Sequence, residues 1–336
     1  MNSQWVIDPD QTLPHNYSIV AYGAQFLAGA AVTGHAIQVY KGYNNHSVVI
    51  EGMHFNHRGN TTVNGAIQAL GTTCLRLFKC VVESHNTKGT YAAFDLGPYT
   101  IGDNNTCAFW TTFDSCATRM RSGADGTAMA VGIRLRGTCN ATNILNCSFA
   151  TGVDAIRFDT DGTAGGLANG CTILHNHFEG VTNAVTINTA APCTAMPTGL
   201  RMHYNRLESL TTVFNITGAA VTNASFPPDL GHNYLTVGSV TNYVVNPNTQ
   251  YVFSYEPSSF GIGINKVGGP LPYTIIAEGV GNHLTVANFT GLSAWNGAHL
   301  VLGAYHLWVD SATGKLYIKG SAPTSATDGT VVGTQV

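Results

Sequence analysis

Two short patterns recur along the first 235 residues at a common interval of about 29 residues. The first appears as Glu51-Gly52-Met53-His54-Phe55, Phe78-Lys79-Cys80-Val81-Val82, Phe113-Asp114-Ser115-Cys116-Ala117 and Leu145-Asn146-Cys147-Ser148-Phe149. It continues as Leu174-His175-Asn176-His177-Phe178, His203-Tyr204-Asn205-Arg206-Leu207 and His232-Asn233-Tyr234-Leu235. Its central positions are Met53, Cys80, Ser115, Cys147, Asn176, Asn205 and Asn233, spaced 27, 35, 32, 29, 29 and 28 residues. The second series is Ile37, Ile67, Phe94, Ile133, Ile156, Val185 and Val213, spaced 30, 27, 39, 23, 29 and 28. Two independent series in phase mean a repeating structural unit.

Each unit holds only short strands joined by Gly, Asn, Asp and Thr turns, and none shows a sustained 3.6-residue period. Such a unit cannot bury its own apolar face, so it must stack on its neighbours. The predicted fold is all-β: a right-handed, single-stranded parallel β-helix, one coil per ~29 residues, with coils ~4.8 Å apart. An antiparallel sandwich has no need of that interval. Stacking puts Asn176, Asn205 and Asn233 into a ladder whose amides bond the next coil, with Cys80 and Cys147 in the same slot. The β-helix is expected over residues 1–250. A linker follows at 251–280, rich in Gly, Pro and Tyr, and a small β-module at 281–336. In that module, strands at 300–302, 306–309 and 316–318 flank a turn at 310–314. So small a module has little core, which trimer packing can supply.

Composition excludes several classes. Only 10% of residues are charged, against about 25% in an average domain, with 15 Lys+Arg against 18 Asp+Glu. With no basic run, nucleic acid is not expected as a partner. No apolar stretch is long enough to insert in a membrane. The N-terminus lacks a signal peptide pattern. None of the eight cysteines forms a C-x-x-C pair, so no metal or other cofactor is expected, and buried free thiols suit synthesis in a reducing cytoplasm.

The run Tyr305-His306-Leu307-Trp308-Val309-Asp310, Gly314-Lys315-Leu316-Tyr317-Ile318-Lys319 and Ala322-Pro323-Thr324-Ser325 through Thr327-Asp328-Gly329-Thr330-Val331-Val332-Gly333-Thr334-Gln335 resembles the ending of many phage tailspikes. The β-helix itself resembles the pectate-lyase-like superfamily in fold, not in sequence. The resemblance implies a parallel homotrimer in a virion tail, acting outside the cell on a bacterial surface polysaccharide, capsule or O-antigen, and often cleaving it. Two features depart from it. Residues 5–7 and 17–20 already read as coil strands, as in a truncated or naturally headless chain. The Asp-Asp, Gly-His-Gly and Arg-Ile-Lys signatures of pectin enzymes are missing.

Aligning the second series puts Gln38, Gln68, Asp95, Arg134, Arg157 and Thr186 in one outward row. Tyr40, Leu70, Gly97, Arg136, Asp159 and Asn188 form another, two residues on. Scarce charges thus gather at Asp95, Arg134, Arg136, Arg157 and Asp159, with Asp154 and Asp161 at the edges. Inverting glycosidases place two carboxyls ~6.5–9.5 Å apart, and two coils span ~9.6 Å. Asp95 as acid and Asp159 as base, or the reverse, with the arginines holding an anionic sugar, is the leading site. The competing reading is a solvated salt-bridge ladder. A second constellation pairs Glu179 with Glu208 in adjacent coils, near His175 and His177. It suits a retaining mechanism, or is two turn residues splayed into water. Tyr40, Tyr91, Tyr99, Tyr204 and above all Trp110 are candidate sugar platforms if exposed. His54, His57 and His85 read as scattered surface residues. Hydrolysis leads; β-elimination and binding without cleavage stay open.

Overall fold

The computed structural model describes residues 5–7, 17–27, 32–40, 47–57, 62–84, 89–101, 103–119, 129–160, 166–188, 197–217, 233–236, 240–245, 300–302, 305–310, 312–325 and 327–332. The chain coils into a parallel β-helix with three stacks of strands. The first stack runs Trp5–Ile7, His35–Tyr40, Gly65–Leu70, Phe94–Gly97, Met129–Arg136, then the latter parts of Ser148–Asp159 and His177–Asn188, then Leu210–Thr217 and Val240–Val245. The second holds Gln25–Leu27, His54–His57, Val81–Ser84, Ala117–Arg119, the opening residues of the two long strands, Arg206–Glu208 and Tyr234–Leu235. The third is a separate sheet of Tyr17–Val20, Val48–Glu51, Leu75–Phe78, Thr112–Asp114, Asn143–Leu145, Thr172–Leu174 and Arg201–His203. Every pairing among the three stacks is parallel.

Alternation fills the inside. Ile37, Ile67, Phe94, Ile133, Ile156 and Val185 pair in sequence and are all essentially inaccessible. Phe149 stacks on Phe178 with centroids 5.0 Å apart. Removing such a ring costs about 3–5 kcal/mol. The predicted register fails in two places. Val185 pairs with Phe214 rather than Val213. Both are buried, so hydrophobicity does not choose between them. Cys116 rather than Ser115 occupies the ladder slot, because Ala117 pairs with Val81 and Ser148.

The corner ladder runs Cys80, Cys116, Cys147, Asn176, Asn205 and Asn233. Cys80 and Cys116 point Sγ at Ile50 O (3.4 Å) and Leu77 O (3.4 Å). Asn176 Nδ2 donates to Ile144 O (2.9 Å) and to Asn205 Oδ1 (2.9 Å). Asn205 Nδ2 donates to Ile173 O (3.0 Å) and Asn233 Oδ1 (2.9 Å). Each amide thus ties three successive coils. The residue before Met53 and before each rung from Cys80 to Asn205 turns the chain through positive φ: Gly52, Lys79, Ser115, Asn146, His175 and Tyr204, at 51° to 73°. At Gly52 a Cβ would also lie 2.6 Å from the Tyr22 ring.

The other compact unit is an antiparallel sheet of Leu300–Leu302, Tyr305–Val309, Leu316–Lys319 and Thr330–Val331, in that order. Trp308 is buried and stacks on Tyr317 at 5.8 Å. Asp310 accepts from Ala312 N (3.0 Å) and from Thr313 Oγ1 (2.5 Å), shaping the turn. The expected linker at 251–280 lies outside the described residues. Seven cysteines are described, all as free thiols.

Candidate functional site

The carboxylate–arginine rows form where the sequence places them: Asp95 pairs with Arg134, Arg134 with Arg157, and Arg136 with Asp159. Their side chains, however, serve one another. Arg136 grips Asp95 with both arms, Nε–Oδ1 2.9 Å and Nη2–Oδ2 3.0 Å. Gln68 Nε2 donates to Asp95 Oδ2 at 2.9 Å. Arg134 donates to Thr90 O and Gly89 O (3.2 and 2.9 Å) and lies 3.9 Å from Asp159. Arg157 pairs with Asp154 at 2.6 Å. Asp95 is only 4% exposed. Burial alone would raise its carboxyl; the charge of Arg136 and then His35, with hydrogen bonds from Arg136 and Gln68, outweighs that and holds it below the usual range. A carboxyl so held is a poor proton donor.

Asp159 is more open. It accepts from Asn188 Nδ2 (2.6 Å) and keeps about a fifth of its side chain exposed. Asp161 lies outside the described residues, as does His85. His57 is buried rather than superficial, its Nδ1 3.2 Å from the hydroxyl of Tyr91, which is buried too and cannot be a sugar platform. Burial is what lowers the His35 and His57 imidazoles to about 4 each.

Glu179 and Glu208 are cross-strand partners in neighbouring coils. His177 Nε2 lies 4.0 Å from Glu179 Oε2 and 3.5 Å from Glu208 Oε2. Arg206 Nη2 lies 2.7 Å from Glu208 Oε2. All four side chains are partly or largely exposed. At the adjoining corner, two residues before His177 and Arg206, His175 and Tyr204 stack face to face at 5.4 Å. Tyr204 is exposed. A carboxylate pair one coil apart thus sits beside an aromatic shelf. Trp110 is also exposed, at positive φ, and stands on a different corner, in line with Ala141, Gly170 and Gly199.

A further site escaped the sequence reading. The outer face of the third stack carries a groove of ≈ 370 Å³ lined by Glu51, Arg76, Phe78, Thr112 and Asp114, among others. Glu51 pairs with Phe78, and Phe78 with Asp114. The two carboxylates therefore flank one ring, two coils or ~9.6 Å apart. Glu51 Oε1 accepts from the Tyr22 hydroxyl, and that bond is the main cause raising Tyr22 to about 12. Asp114 Oδ1 accepts from Ser115 Oγ (2.9 Å) and Asn146 Nδ2 (3.0 Å). Among the described residues no three His, Cys, Asp or Glu are placed to hold a metal ion.

Comparison with known proteins adds one segment match. The Capsule depolymerase family model matches residues 275–334. The tailspike protein of Acinetobacter phage vB_ApiP_P1 is similar in structure at 14% identity and TM-score 0.38, over 75% of this chain and 46% of that one. The chain thus spans under half the length of that tailspike. Geobacillus virus E2 ORF18 is similar at 13% identity and TM-score 0.25, over 96% and 77%. Scores this low add nothing to the fold seen directly. No curated protein matches. The family match thus covers the C-terminal segment alone, outside the described strands of the parallel β-helix.

Proposed function

We propose that the chain is a tailspike β-helix of a virion tail that binds a bacterial surface polysaccharide and hydrolyses it at Glu179 and Glu208, working as a homotrimer. The supporting observation is the carboxylate pair in register, Glu179 exposed and Glu208 half-buried, both within 4.0 Å of His177 Nε2. Adjacent coils stand ~4.8 Å apart, near the ~5–5.5 Å separation of retaining glycosidases. Glu208, held by Arg206, attacks the anomeric carbon. Glu179 gives its proton to the departing glycosidic oxygen. Water then enters with Glu179 as base, releasing Glu208. Tyr204 stacks against an apolar sugar face, as Trp110 can at its own corner.

On this reading Asp95, Arg134, Arg136 and Arg157 brace the coil wall. Asp159 keeps 20% of its side chain exposed, as Arg136 (21%) and Arg157 (28%) do, against 5% for Asp95, so it is the carboxylate of that cluster with access to a substrate. The test is reducing-end release from a panel of capsular and O-antigen polysaccharides. Glu208→Gln and Glu179→Gln are each expected to lower it at least ~100-fold, in line with loss of acid–base function. Wild-type rates in both variants would refute the assignment. Ultraviolet absorbance from an unsaturated product would instead mean β-elimination, and retention of polymer without products would mean an adhesin.

A further inference from the structure

The groove at Glu51, Phe78 and Asp114 takes no part in the chemistry above. We propose that it is a separate, non-catalytic pyranose subsite on the same polymer track that leads to Glu179 and Glu208. The proposal rests on the depolymerase reading and deepens it.

The arrangement has the parts of a sugar site. The half-buried Phe78 ring stands at the middle of the groove with Lys79 Nζ over it, 4.7 Å from its centroid, so the C–H face of a pyranose packs on the ring surface that the cation leaves open and the ammonium donates to its hydroxyls. Glu51 and Asp114 stand on either side of it in the same row. Each has one oxygen held by protein donors: Tyr22 on Glu51, Ser115 and Asn146 on Asp114. Among the described residues the donors go to Oε1 of Glu51 and Oδ1 of Asp114, which leaves Oε2 and Oδ2 to accept from a ligand. Arg76 is exposed on the same face and supplies donors. Sugar hydroxyls both give and take hydrogen bonds, so acceptors and donors around a ring match them.

The row also has a direction. Past Asp114 it continues through Leu145, Leu174 and His203, all half-buried. Leu174 and His203 immediately precede His175 and Tyr204, the aromatic shelf beside the carboxylate pair. Phe78 and Leu174 are three coils apart, ~14 Å along the axis at ~4.8 Å per coil. A glycan lying along this corner would fill the groove with one segment and present another, a few sugars on, to Glu208.

The experiment uses the full chain. The panel polysaccharide that the wild type captures is immobilised, and binding is measured for Glu208→Gln alone and combined with Phe78→Ala or Asp114→Asn. Losing the ring or the acceptor is expected to weaken polymer binding about tenfold, the size of ~1.4 kcal/mol. In the active background, Phe78→Ala raises KM for long polymer about tenfold at constant kcat, and leaves cleavage of the shortest cleavable oligosaccharides unchanged. Far-UV circular dichroism confirms that each variant is folded. Unchanged polymer affinity and KM in both groove variants overturn the subsite. So does an equal effect on short and long substrates. Full activity of Glu208→Gln sinks the catalytic assignment instead, and capture of no polysaccharide by the wild type sinks both.

Discussion

Replacing Asp95 by Asn separates a structural role from a catalytic one. The side chain is enclosed and receives three charged or amide donors: Arg136 Nε and Nη2, and Gln68 Nε2. Asparagine keeps the shape and removes the charge. One of its two positions becomes an NH2 facing an arginine or glutamine donor, and Arg136 loses its ion-pair partner, keeping only the weaker field of Asp159. Breaking a buried pair from one side costs about 3–5 kcal/mol. Glu208→Gln removes a partner of Arg206, which is 60% exposed, and such surface pairs contribute only about 0–1 kcal/mol. Urea unfolding followed by circular dichroism should therefore show a large loss for Asp95→Asn and almost none for Glu208→Gln. Adding Arg136→Gln to Asp95→Asn should recover part of the loss, because no lone charge then remains. Wild-type stability in Asp95→Asn together with abolished cleavage would refute the reasoning and return Asp95 to the chemistry.

Two further outcomes are expected. His35 and His57 are held near 4 against an ordinary 6.5, so the unfolded chain binds more protons between those values. Stability is then complete above about pH 6.5 and falls as pH drops toward 4, by about 3 kcal/mol per histidine at 1.36 kcal/mol per unit. An unfolding midpoint equal at pH 7 and 4.5 would contradict this. In the corner ladder, Asn205→Ala strips donors from Ile173 O and Asn233 Oδ1 and the acceptor from Asn176 N. At about 1–3 kcal/mol per orphaned group, it should cost several kcal/mol. Asn205→Cys, the residue used in earlier coils, should cost less because Sγ still reaches a carbonyl. Equal destabilisation by the two would show that the ladder bonds do not matter.

The ~29-residue interval was enough to identify a parallel coil, to phase most of its inner ladder and to put Glu179 beside Glu208. These follow from hydrophobic alternation, which repeats in every coil. Residues 305–319 were legible in the same way, through alternation around the Asp310 turn. Where alternation is silent, the reading slipped. Placing Ser115 in the ladder slot put Phe113 in the row of Glu51 and Phe78. The true slot, Cys116, puts Asp114 there and creates the groove. Small and polar neighbours fit the slot equally well on paper, and only hydrogen-bond pairing chooses between them. Burial of Asp95 was equally hidden. Periodicity says that a side chain leaves the coil, not what folds over it. Here Gly89 and Thr90, from a segment with no periodic mark, lend their carbonyls to Arg134 and help close that face. The chain's own pattern thus decides which residues become vertical neighbours, while the tertiary structure alone decides which of them meet water, because the covering segments obey no repeat.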